Sequence, residues 1–166
     1  MNDPVIVVVM GVAGAGKTTV GRSLAEELGW RFEDADDLHP EGNVEKMAAG
    51  VPLTEDDREP WLQALQDLVR SLEDRREPAI VACSALTRSF RRRLRDASPN
   101  VRYVYLRAER ALLEERLHDR RGHYMKAEML ESQLRTLEEP SDAIVIEVGS
   151  DDPRKVVDRI RAALGV

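Results

Sequence analysis

A chain of 166 residues, 42% hydrophobic and 34% charged, suits one domain with a real core and is too apolar for a disordered polypeptide. A formal net charge of −6 argues against generic attraction to nucleic acid or an anionic membrane. The single cysteine, Cys83, excludes an intrachain disulfide, and the apolar run near the N-terminus is broken by glycines with no basic region ahead of it, so the chain reads as cytoplasmic, without signal peptide or spanning helix.

The elements alternate strand and helix. VIVVVM, from Val5 to Met10, is a short continuous β-branched run, as expected of a strand buried on both faces. Immediately after it, GVAGAGKT (Gly11 to Thr18) matches G-x-x-x-x-G-K-[ST] in full, a pattern a chain this long meets by chance less than about once in a hundred. A buried strand before and a helix after (TTVGRSLAEEL, closed by Gly29) are the context this phosphate-binding loop requires. Gly11, Gly14 and Gly16 let the backbone curl with its N–H groups inward, and the helix start adds its positive dipole end. The expected nucleotide contacts are Gly11, Val12, Ala13, Gly14, Ala15, Gly16, Lys17, Thr18 and Thr19, with Lys17 on the β and γ phosphates and the Thr18 hydroxyl on Mg²⁺.

WRFED predicts a short second strand, leading into DADDLHPEGNVEKMAAG, from Asp34 to Gly50. Asp34 and Asp36 alternate, so an extended segment would point both carboxylates the same way. One of the two is then expected to hold a metal-bound water and the other to receive the acceptor's hydroxyl. Trp61, Leu62, Leu65, Leu68, Val69 and Leu72 form one apolar helical stripe, with Pro60 suited to that helix's first turn and Trp61 read as core. AIVACS, RYVYL and AIVIEV (Ala79, Arg102 and Ala143 onward) supply three more strands, and a last helix carries Val156, Val157, Ile160 and Leu164 on one side. Arginines dominate from Arg88 to Lys126, and ERLHDRRGHYM puts Arg116 and Arg120 on one helix face before Gly122 and His123, as a cationic lid over phosphates would need. Such a chain folds as a parallel sheet covered by helices on both faces, with ligands beyond the carboxyl ends of the strands.

Three classes compete for a phosphate-binding loop. A nucleotide-dependent switch needs a guanine-reading N-K-x-D, which is missing, and DRRG (Asp119 to Gly122) matches D-x-x-G only in letters. A motor ATPase wants an acid closing an apolar strand, where this chain has Cys83 and Ser84. A small kinase acting on a metabolite remains.

The segments VVVMGVAGAGKTTVG, GWRFEDADDLHPEGNVEKMAAGVPLTEDDREPWL, VACSALTRSFRRRLR and RLHDRRGHYMKAEMLESQLRTLEEP resemble the gluconate kinase family over nearly the whole chain. The resemblance implies an α/β fold of the nucleoside-monophosphate-kinase type: one P-loop domain over residues 1–166, with a five-stranded parallel sheet and a helical lid near 114–130. It implies transfer from ATP·Mg²⁺ to the 6-hydroxyl of D-gluconate by a homodimer. Lys17, Asp36, Arg116 and Arg120 match catalytic positions; Asp36, His39, Lys46, Arg58 and His123 match the acceptor side; Thr18 and Asp34 match the metal side. Asn43 and the CSAL loop (Cys83 to Leu86) match the acceptor pocket, and Lys46, Arg58, His39 and one of Arg91 to Arg93 are candidates for the gluconate carboxylate. Ala13 and Ala15 stand where the family has serines, and Leu134 and Arg135 stand where it has an aromatic and an acid, which leaves the role of the Gln133 segment open. A kinase for another acceptor, such as shikimate, is the alternative.

Overall fold

The computed structural model describes residues 3–118 and 125–166. Strands β1 (Ile6–Met10), β2 (Arg31–Asp34), β3 (Ala79–Ala82), β4 (Val101–Ala108) and β5 (Ile144–Val148) form one sheet in the order β2-β3-β1-β4-β5. Every pairing is parallel. Parallel neighbours need crossovers, and helices supply them: α1 (Lys17–Leu28), α2 (Glu41–Ala48), α3 (Glu55–Asp74), α4 (Arg88–Ala97), α5 (Arg110–His118), α6 (Met125–Thr136) and α7 (Pro153–Leu164).

The continuous apolar run of β1 has a simple cause. Val7 and Val9 face a core shared with Leu24 of α1 and with Val157 and Ile160 of α7. Ile6, Val8 and Met10 face a second core, with Leu65 and Val69 of α3 and Leu94 of α4. Alternate residues of one strand thus serve two cores, so none can be polar, and all five are fully buried. Gly21 of α1 is required by the same packing, because a Cβ there would lie 2.9 Å from the Phe32 ring.

The helix carrying the Trp61 stripe begins a turn earlier than the sequence pattern predicts. Thr54 caps it: its hydroxyl accepts the Asp57 N–H at 3.1 Å, and the Asp57 carboxylate accepts the Thr54 N–H at 2.9 Å. Pro60 therefore lies inside α3, not in its first turn. Trp61, Leu65, Val69 and Leu72 are buried along this helix, each worth roughly 1.5–3 kcal/mol of burial. No helix among the described residues is long and apolar enough to cross a membrane.

All five strands end on one edge of the sheet. The loops there are Gly11–Gly16 after β1, the turn at Asp34 after β2, Cys83–Leu86 after β3, the start of α5 after β4, and Gly149–Asp152 after β5.

Candidate functional site

The cradle starts where β1 stops. Gly11 leaves the strand at φ +148°, and a Cβ there would lie 2.8 Å from the Leu106 carbonyl oxygen, so only glycine fits. Its N–H donates to the Ser84 carbonyl at 3.3 Å, which ties the loop to the end of β3. Gly16, at φ +96°, turns the chain into α1. The first turn of α1 holds no acidic side chain of its own, so its N–H groups and positive dipole end are presented to the loop. Lys17 Nζ donates across the loop to the Val12 carbonyl at 3.1 Å.

The acidic pair is assembled differently from the sequence expectation. The chain does not stay extended past Asp34; β2 ends there and Ala35–Leu38 forms a 3-10 turn. Asp34 caps that turn, with Oδ1 accepting the Asp36 N–H at 3.0 Å. Its Oδ2 accepts the Thr18 hydroxyl at 3.1 Å. One carboxylate therefore bridges the first residue group of α1 and the turn that carries Asp36. Burial raises the Asp36 carboxyl above the ordinary aspartate range, and the Asp34 charge adds to this; Lys17 and His39 oppose it. The Asp36 side chain is exposed at its surface, while the protein packed around it strips part of its hydration.

The acceptor-side segment folds back on α3. Trp61 Nε1 donates to the buried Ala35 carbonyl at 2.6 Å, which locks the 3-10 turn onto the helix. The His39 ring stacks on Trp61 with centroids 4.5 Å apart and planes 10° from parallel. Asn43 is buried; its Nδ2 donates to the Asp57 carbonyl at 2.7 Å and lies 3.2 Å from His39 Nδ1. With an amide donor against Nδ1, the ring carries its proton on Nε2. Burial lowers the His39 pKa, with the Asp36 charge opposing, so the ring favours its neutral form. Lys46 is paired with Asp57 at 2.8 Å, and hydrogen bonds from Lys46 and Thr54 hold that carboxyl down to about 2. Arg58 is exposed at the start of α3, with no side-chain hydrogen bond or ion pair among the described residues.

On the far side of the loop, Arg116 of α5 donates to the carbonyls of Gly14 at 3.0 Å, Ala15 at 3.4 Å and Gly149 at 3.0 Å. It borders a cleft of about 280 Å³ lined by Gly16, Thr19, Val20, Val148, Asp151 and Pro153. Sequence reasoning missed this cleft. Its signal was an Asp-Pro helix start directly after the last strand, at the strand end where ligands of such sheets bind. Arg120 and His123 lie outside the described residues, as does DRRG, and the expected lid is described only over Glu114–His118 and Met125–Leu130.

The arginine run of α4 is divided. Arg91 is buried and donates to the carbonyls of Ala85 and Glu138, both at 2.7 Å. Arg93 is paired with Glu59 at 2.8 Å and bonded to Gln66. Arg92 is exposed. Cys83 is buried and its thiol is pushed up to about 12, chiefly by desolvation, so it is an inert core residue.

The sheet order, the glycine cradle and the aspartate turn beside it define a P-loop kinase. The AAA domain family model matches residues 6–140. The chain is 42% identical over 151 residues to the thermoresistant gluconokinase of Escherichia coli K12, covering 89% of this chain and 86% of that protein. It is 43% identical over 139 residues to a gluconokinase of Gluconobacter oxydans, covering 84% of this chain and 78% of that one. A crystal structure of a gluconokinase from Sinorhizobium meliloti 1021 superposes with a TM-score of 0.86 at 41% identity, over 99% of this chain and 94% of that chain. Shikimate kinase from Aquifex aeolicus shares the fold, at TM-score 0.62 and 18% identity. The chain belongs to the gluconokinase family of P-loop kinases.

Proposed function

We propose that this protein transfers the γ-phosphoryl group of ATP to the 6-hydroxyl of D-gluconate, giving 6-phospho-D-gluconate and ADP. The observation that carries the reading is the Asp34 bridge. It sets the Asp36 turn, with His39 and Asn43 behind it, directly beside the phosphate cradle. The acceptor oxygen forms a bond to the γ phosphorus, the bond to the β–γ bridging oxygen breaks, and ADP leaves with that electron pair. Asp36 takes or orients the hydroxyl proton. Because phosphoryl transfer is loose and charge-rich, positioning and cationic groups carry most of the rate: Lys17 is the cation assigned to the transferred group, Arg116 acts by holding the loop carbonyls, and Arg120 is the further candidate.

His39 offers a neutral Nε2–H donor to the acceptor, and Lys46 acts through Asp57 in fixing α2 on α3. Arg58 is the exposed cation of this segment and the candidate for the gluconate carboxylate, with His123 a further acceptor-side candidate. The Thr18 hydroxyl and Asp34 carboxylate are hard oxygen donors 3.1 Å apart, a set that suits Mg²⁺ shared with phosphates and water. Bound there, Mg²⁺ would neutralise charge on the β and γ oxygens. The cleft beside Arg116 suits the nucleoside. We assign the protein to the cytoplasm as a homodimer of one kinase domain over residues 1–166, with light scattering expected to give twice the 18.7 kDa chain mass.

The test is a coupled assay for ADP release, offering gluconate, shikimate, other sugar acids and nucleoside monophosphates in turn. Gluconate alone should stimulate turnover strongly; stimulation only by another acceptor overturns the substrate assignment.

A further inference from the structure

Within the phosphate loop, the Gly11 and Ala15 N–H groups are taken by the backbone carbonyls of Ser84 and Val12, whereas the Ala13 N–H is taken by a side chain from a distant helix. The Ala13 N–H donates to Gln133 Oε1 at 2.6 Å, across 120 residues of sequence. Gln133 sits on α6, half-buried, and its Nε2 has no hydrogen-bond partner among the described residues. Two helices thus hold successive residues of the cradle, one by carbonyls and the other by an N–H. Arg116 of α5 grips the carbonyls of Gly14 and Ala15 at the nucleoside end. Gln133 of α6 grips the N–H of Ala13, and neither residue lines the cleft beside Arg116.

The far end of α6 is fixed to the acceptor side. Leu137 N–H donates to the Gln133 carbonyl, and Glu138 N–H donates to the Leu86 carbonyl, both at 2.8 Å. Arg91 bonds both the Glu138 and the Ala85 carbonyls. The Gln133 side chain therefore stands on a platform tied to the loop after β3. It is a neutral amide, so it completes the cradle without placing a negative charge beside the phosphates. It also brings two unused N–H donors to Ala13, next to the Val12 carbonyl that takes the Lys17 ammonium, the cation expected on the β and γ phosphates. With alanines at positions 13 and 15, the loop's own side chains offer no hydroxyl there.

We propose that Gln133 is a positioning residue for phosphoryl transfer: its Oε1 fixes Ala13 in the cradle and its Nε2 presents donors to the γ-phosphoryl end. The proposal rests on the kinase reading above.

Two variants separate the parts. Gln133→Met keeps volume and loses both bonds; Gln133→Glu keeps an acceptor for Ala13 but replaces the donors with a charge. In Gln133→Met, amide exchange at Ala13 should quicken at least about tenfold. Its kcat should fall about tenfold or more, with KM for ATP and the melting temperature little changed. Gln133→Glu should retain Ala13 protection, yet bind a non-hydrolysable ATP analogue about tenfold more weakly relative to ADP, because its charge meets the γ-phosphate. A Gln133→Met enzyme with parental kcat overturns the proposal, as does a kcat loss matched by equal loss of ADP affinity and melting temperature. Equal weakening of ADP and the analogue in Gln133→Glu also overturns it. If the parent phosphorylates no gluconate, the functional reading fails instead, and the exchange and binding measurements still decide the role of Gln133.

Discussion

Arg91 separates a structural cation from a substrate-binding one. By sequence it is one of three adjacent arginines that are candidates for a gluconate carboxylate. In the fold it is 4% exposed, and its two terminal nitrogens are spent on the Ala85 and Glu138 carbonyls. Ala85 is held at φ +47°, a conformation alanine resists at about 1–2 kcal/mol, so the loop after β3 needs an outside restraint. Each bond from a charged donor is worth about 1.5–3 kcal/mol, or about 3–6 for the pair. Burial lowers the Arg91 pKa, the mark of an unfavourable desolvation that offsets part of this gain. Arg91→Met should therefore destabilise the fold by about 2–4 kcal/mol net. Arg91→Lys keeps the charge, but its single ammonium serves one carbonyl in place of two, and about 1–3 kcal/mol should be lost. Urea unfolding should show a lower midpoint at unchanged slope for both variants. If Arg91→Lys unfolds at the parental urea concentration while KM for gluconate rises tenfold (about 1.4 kcal/mol), Arg91 binds substrate and the structural assignment is wrong.

Other side chains give equally direct outcomes. Lys17→Ala should leave the urea midpoint near parental and cut kcat by about a hundredfold or more, because the cation we assign to the transferred group is lost; near-parental turnover would refute its role. Trp61→Phe leaves the buried Ala35 carbonyl without its donor and should cost about 1–3 kcal/mol, with KM for gluconate rising more than KM for ATP because the Asp36 turn loosens; an ATP-only effect would contradict this. The Asp57 carboxyl is lowered in the folded state from 3.8 to about 2, so its contribution is complete above pH 3.8 and is lost as pH falls towards 2. Stability measured across that window should decline less steeply in Asp57→Asn than in the parent, and parallel slopes would refute the linkage. Gly21→Ala should destabilise, since its methyl meets the Phe32 ring, and a neutral or raised melting temperature would show that the ring moves aside freely.

The fold was legible in the sequence because its rules are local. Each strand buried on both faces left an unbroken apolar run, and each run was found within a residue or two of its place, as at Ile6–Met10. Helix faces showed at helical spacing, as for Val156, Val157, Ile160 and Leu164 on α7. What failed was also local, but chemically subtler. Thr54 and Asp57 form a capping box that starts α3 ahead of Pro60, and this outweighed the usual preference of proline for the first turn. Asp34 likewise turns the chain by accepting the Asp36 N–H, where strand alternation alone predicts an extended segment.

The cradle was legible for a different reason: its partners are backbone groups and one lysine within a single octapeptide, so spacing alone specifies it. The rest of the site is made by contacts between distant segments, and spacing is silent there. Nothing in the sequence pattern says that Lys46 meets Asp57, that Asn43 meets His39 and the Asp57 carbonyl, or that Arg91 is spent on two carbonyls. Each of these polar side chains reads from sequence as a candidate for substrate, because type and neighbourhood are all that sequence offers. The fold then divides them by what else needs satisfying. A carbonyl stranded at the end of β3 or the close of α6 takes a guanidinium before any ligand can, since an unpaired buried carbonyl costs about 1–3 kcal/mol in every molecule, bound or free. Side chains left over after that demand is met, Arg58 and the Nε2 of Gln133 among them, are the ones with hydrogen-bonding capacity to spend on substrate.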